Sequence, residues 1–132
     1  MSKLKEFTKA EPYFQGIYGE LLNMEKSKKL STIIGKIEEL VLQEGKTIST
    51  SQLRNIYARI KKAGSREEML LLRPVLAYTS ARQKGDGGKV IIALLDALIQ
   101  DIEADNKEQI ASFKTFAEAI VAYHKYLHPK QS

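Results

Sequence analysis

Cysteine is absent from this chain. Its absence excludes disulfide staples, thiolate-bound zinc and thiol catalysis together, and it suits a reducing cytoplasm. Long apolar runs are missing too. The longest, Val90 to Leu95, falls far short of the roughly 20 residues that a membrane-spanning helix needs. The first residues contain no apolar core of signal-peptide length. These absences predict a cytoplasmic protein with no membrane partner. No stretch alternates apolar and polar residues over a useful length, which argues against a sheet, and no internal repeat is evident.

What is present is ordinary globular material with an uneven charge. The 132 residues are 43% hydrophobic and 28% charged, enough for one domain with a real core. The net charge of +5 is not spread evenly. Residues 51–90 hold nine basic side chains against three acidic ones, a local +6, and the rest of the chain nets −1. A local basic excess raises the nearby concentration of polyanions and speeds encounter with them. Charge alone is equally compatible with a solvated lysine-rich surface.

Periodicity predicts an all-α fold, a compact bundle of about five to six helices. Residues 1–28 are polar, and Pro12, Gly16 and Gly19 argue against a continuous helix. They are expected to form a flexible N-terminal arm with a short helix near Tyr18 to Met24, ahead of a single helical-bundle domain at 29–128. Leu30, Ile33, Ile34, Ile37, Leu40 and Val41 share one face of a first long helix over 30–44. A second starts at Ser49 or Thr50, where Ser49 and Gln52 have capping-box spacing, and carries Leu53, Ile56, Tyr57 and Ile60 inward. Ser65 and Glu68 repeat that spacing before Met69–Leu72, which is apolar on every side and is expected to be deeply buried. Pro74 lacks an N–H and clashes with the preceding turn, so a kink or break is expected near 72–73, with Pro74 opening a helix to about Gln83. After a Gly-rich turn, a helix over 88–104 should turn Asp96, Gln100 and Glu103 outward. Asp105 and Glu108 then cap a last helix that Pro129 closes.

Catalytic constellations are scarce. Gly85, Gly87 and Gly88 lack the preceding strand and the following Lys-Ser/Thr of a phosphate loop, so a plain turn is the better reading. His124 and His128 are four apart on one helical face, without a glutamate in the metalloprotease position. His124 projects beside Phe113, Ala117 and Ile120, which favours a hydrogen-bonded, partly buried histidine over a metal ligand. No arginine lies beyond Arg82 to partner it in RNA cleavage, and no nucleophile has an evident base. The expectation is a protein that is not an enzyme, with no cofactor, no metal and no small-molecule substrate.

Binding is better supported. Around the inward stripe of the second helix, Arg54 and Lys61 flank one side, while Arg59 and Lys62 fall on the opposite surface. Arginine's planar fork donates two parallel hydrogen bonds to phosphate, and phosphate contacts fix position without reading sequence. Arg73 and Arg82 are nine apart, on opposite sides of a straight helix, and could serve one surface only across a break at Pro74. Lys84 extends the basic run, and Lys125 projects outward from the last helix. The start of the second helix, with Ser51, Gln52 and Arg54, also admits a helix-turn-helix DNA-binding regulator, though a capped surface helix is the simpler reading.

Three segments carry a family resemblance: Leu53-Arg54-Asn55-Ile56-Tyr57 continuing to Ile60; Leu72-Arg73-Pro74-Val75-Leu76-Ala77-Tyr78 followed by Arg82; and Phe113 through Phe116 and Glu118-Ala119-Ile120-Val121-Ala122-Tyr123-His124-Lys125-Tyr126. Over about 47–127 the chain resembles the small subunit of type III-A CRISPR effector (Csm) complexes. The small subunit of the related type III-B complex is the same-class alternative, against which the C-terminal motif argues. The resemblance implies a helical bundle that self-associates with neighbouring copies as a filament beside the other subunits. It implies a non-catalytic role in antiviral defence, contacting the guide RNA–target RNA duplex through basic residues, with Arg54, Arg59, Lys61, Lys62, Arg73, Arg82, Lys84 and Lys125 as candidates. The third segment is mostly packing, so its recognisability does not make it a site.

Overall fold

The computed structural model describes residues 2–131. Those residues form seven α-helices and two 3₁₀ stretches, with no strand among them. In chain order, α1 is Phe7–Ala10, followed by 3₁₀ turns at Glu11–Phe14 and Tyr18–Lys26. Then come α2 (Leu30–Glu44), α3 (Thr50–Lys62), α4 (Arg66–Leu70), α5 (Arg73–Ala81), α6 (Asp86–Asp101) and α7 (Lys107–Leu127). The expected five to six helices correspond to the five long ones plus short turns, and the all-α class holds.

The axis of the fold is α6. Every residue from Val90 to Ile99 is buried. A helix that is apolar all round can only sit inside, and α1, α2, α4 and α5 pack about it. The long α7 lies along α2, α3 and the second 3₁₀ stretch, closing the other side of the core. Phe113, Phe116, Ala117 and Ile120 supply its inner stripe.

Several sequence expectations are corrected. The segment expected to be a flexible arm is packed from residue 7 to 26: Ala10, Phe14, Leu21 and Met24 have no exposed surface. Phe14 meets Phe116 edge-on with ring centroids 5.8 Å apart. Ser112 of α7 donates to the Leu21 carbonyl and accepts from the Met24 N–H, pinning the segment from inside. Pro12 and the positive φ of Gly16 do break the helix as expected, but each short piece still turns its apolar side inward.

Asp96, expected to face solvent, is 1% exposed. Its carboxylate accepts from Arg73 Nε at 2.9 Å and from Gln100 Nε2 at 2.8 Å. A carboxylate can be buried only with such partners, and Arg73 is delivered by the break before Pro74. Leu71, expected to be deeply buried, is 73% exposed. The chain leaves α4 after one turn, so Met69 alone of that run is fully buried.

The start of α6 falls at Asp86, inside the expected turn. In its first turn nothing larger than Gly87 fits against the neighbouring backbone, and a side chain in place of Gly88 would have to displace that of Gln83. A Cβ on Gly87 would lie 2.2 Å from the Glu44 carbonyl oxygen, and one on Gly88 would lie 2.6 Å from Gln83 Oε1. The cap of α7 is Asn106, whose side chain accepts from the Gln109 N–H at 3.0 Å. Asp105, the expected cap, instead takes a left-handed φ of 58°.

Candidate nucleic-acid interface

The basic residues of interest are arranged around α3. Its start is fixed by a complete capping box: Ser49 Oγ accepts from the Gln52 N–H, and the Gln52 side chain accepts from the Ser49 N–H. Thr50 is tied in further, its N–H donating to the Gln131 carbonyl and its hydroxyl to His124 Nδ1. Thr50, at the start of that helix, is thereby bound to the protein's own C-terminal segment, while Ser51 and Arg54 stay exposed. With Leu53, Ile56 and Ile60 buried, Arg54, Arg59, Lys61 and Lys62 are all exposed.

Two edges of α3 carry these cations. On one edge α7 runs antiparallel: Lys114 Nζ donates to the Lys61 carbonyl, and Tyr57 donates to Glu118 at 3.2 Å. Thr50 at the start of α3 meets His124 of α7 in the same register, and Lys125 beside it is exposed. Burial and the Glu118 carboxylate raise the Tyr57 hydroxyl above its usual pKa, so it stays protonated as the donor. On the other edge α5 lies beside α3, leaving a cleft of about 250 Å³ lined by Gln52, Asn55, Arg59, Tyr78, Thr79 and Arg82, among others. Arg59 and Arg82 are thus brought to one cleft. Lys84 stands exposed just beyond Arg82 in the turn before α6.

Arg73 is not part of either edge. It pairs with Asp96, and its guanidinium also donates to the Ser2 carbonyl. The other candidates differ in this from several lysines of the N-terminal third. Lys3, Lys9, Lys26, Lys29 and Lys36 each form an ion pair with a carboxylate. Among the described residues Arg54, Arg59, Lys61, Lys62, Arg82, Lys84 and Lys125 form none. Sequence reasoning missed Lys114, Asn55 and Tyr78 as neighbours of these cations. The four-residue spacing of Tyr78 and Arg82 was the available signal for the last.

The histidine pair does a structural job. His124 is fully buried, more so than expected, and burial lowers its pKa below the ordinary value. Its Nε2 donates to the Gly45 carbonyl at 2.9 Å, and His128 Nε2 donates to the Val41 carbonyl at 2.9 Å. A carbonyl can only accept, so both Nε2 atoms carry the hydrogen, and His124 Nδ1 accepts from Thr50. The two rings therefore close the C-terminal carbonyls of α2 onto α7. No group of three or more His, Cys, Asp or Glu side chains among the described residues could hold a metal ion. No helix among them is long and apolar enough to cross a membrane.

Fold and surface together define a small helical domain in which one helix, α3, carries four exposed cations in no ion pair among the described residues. The family model described as Csm2 Type III-A matches residues 23–130, and the chain belongs to that family. It is a small subunit of the type III-A CRISPR complex, in a family of small non-catalytic subunits. No curated protein and no solved structure shows significant similarity to it.

Proposed function

We propose that this subunit lines the guide RNA–target RNA duplex in several stacked copies, contacting its phosphates through the basic edges of α3 and performing no chemistry of its own. The observation that carries this reading is the set of exposed cations left without carboxylate partners around one helix, in a chain that pairs most of its N-terminal lysines. Unpaired guanidinium and ammonium groups keep their full attraction for phosphate, and phosphate contact needs no sequence preference. Repetition along a filament lets several weak contacts add up. The remaining members of the complex are its protein partners, and the cytoplasm is where it acts.

The test is reconstitution of the complex with Arg54, Arg59, Lys61 and Lys62 replaced by alanine. Target-RNA affinity should fall, and the slope of log affinity against log salt should flatten by roughly one for each phosphate no longer neutralised. Unchanged affinity and slope would refute the assignment.

A further inference from the structure

The α3–α5 cleft has chemistry that duplex backbone contact does not use. Two unpaired guanidiniums serve it, Arg59 from α3 and Arg82 from the end of α5. Arg59 also lines a small adjoining space with Leu72, Val75 and Leu76, toward the start of α5, whereas Arg82 follows the end of α5. Tyr78, in the lining of the cleft, is 65% exposed, so its ring is open to a ligand. The Arg82 guanidinium lies 5.6 Å from the Tyr78 ring centroid, which holds both side chains at the cleft. Gln52 and Asn55 add amides that can both donate and accept, and the Thr79 hydroxyl, which donates to the Val75 carbonyl, retains acceptor capacity.

We propose that this cleft holds one unstacked nucleotide of single-stranded RNA, with its base on Tyr78, its flanking phosphates on Arg59 and Arg82, and its base edge or ribose on Gln52 and Asn55. The inference rests on the RNA-binding reading above and deepens it. An aromatic platform framed by cations is how proteins hold unpaired nucleotides, because every base has a face to stack and every nucleotide a phosphate. A base inside an intact duplex offers a tyrosine no free face, since both its faces are stacked on neighbouring bases. An acidic peptide would satisfy the two arginines and leave the ring and the amides unused. The volume of about 250 Å³ suits something of a base's size.

The experiment is photo-crosslinking in the reconstituted complex, loaded with guide RNA and a target RNA carrying 4-thiouridine at single positions along and just outside the paired region. Peptide mapping then locates the adducts. Adducts should appear on the tryptic peptide spanning residues 67–82 and fall about fivefold or more in Tyr78→Ala, as expected for losing a base-stacking platform. Tyr78→Phe should retain them. Because Tyr78 is mostly exposed, the alanine variant should fold and assemble, which far-UV circular dichroism and size-exclusion chromatography check. Adducts found on α3 and α7 peptides but not on 67–82, or adducts on 67–82 indifferent to Tyr78→Ala, would overturn the cleft and leave backbone contact standing. Absence of adducts anywhere on this subunit would overturn both readings.

Discussion

Replacing Arg73 with alanine should strand a buried carboxylate. Asp96 lies in the fully buried stretch of α6, and its side-chain donors are Arg73 and Gln100. Removing the guanidinium leaves one neutral donor for a charge with almost no access to water. Breaking a buried ion pair from one side typically costs about 3–5 kcal/mol. Here the Arg73 side chain keeps 26% of its exposure while that of Asp96 keeps 2%, so water reaches one partner and screens part of the interaction. The expected loss is therefore about 2–3 kcal/mol. For a domain of this size that lowers the midpoint of thermal unfolding by roughly 10 °C. Urea titration followed by far-UV circular dichroism at neutral pH measures it. The double variant Arg73→Leu with Asp96→Leu should recover most of the loss, because no charge is then left behind. Asp96→Asn should cost less than Arg73→Ala, since the amide can still accept from Arg73. An Arg73→Ala midpoint equal to that of the unsubstituted chain would refute this account, and so would a double variant as unstable as the sum of Arg73→Leu and Asp96→Leu measured singly.

Two further expectations test the packing. Burial lowers the pKa of His124, so below about pH 6.5 the unfolded chain takes up a proton that the folded chain refuses. Stability is then full above that pH and falls as the solution is acidified, by up to about 1.4 kcal/mol per pH unit until the folded-state pKa is reached. His124→Gln should flatten this dependence in urea titrations between pH 5 and 8, and an identical slope in both proteins would sink the assignment. Phe14→Ala should cost about 3–5 kcal/mol, because a fully buried ring against Phe116 is removed. Limited proteolysis should then cut within residues 7–26 first, whereas an unpacked arm would leave the unfolding midpoint where it was.

The N-terminal segment shows how much was legible and why the rest was not. Phe7, Ala10, Phe14, Ile17, Leu21 and Met24 recur at spacings of three and four, a helical face in plain view. Pro12, Gly16 and Gly19 forbid one continuous helix, and that interruption outweighed the apolar repeat. The chain satisfies both signals with short turns that each bury their apolar residues. Periodicity was reliable where one helix buries one face, as in α2 and α3, whose bounds and capping box match expectation. It failed at Asp96, where a polar residue on a buried helix was read as solvent-facing, and at Leu71, where apolar character was read as burial.

Composition and local pattern by themselves determined the all-α class, the Ser49 and Ser65 caps, the break at Pro74, the basic excess in 51–90 and the family. Each depends on residues near one another in sequence, where helix geometry sets who shares a face. Tertiary structure alone decided which cations are free. Arg73 and Arg82 look alike in the sequence, yet one is engaged by Asp96, 23 residues away, and the other is left at a cleft with Arg59. A charge's availability depends on what long-range packing sets beside it, and no spacing rule reaches across the turn between α5 and α6 to reveal it.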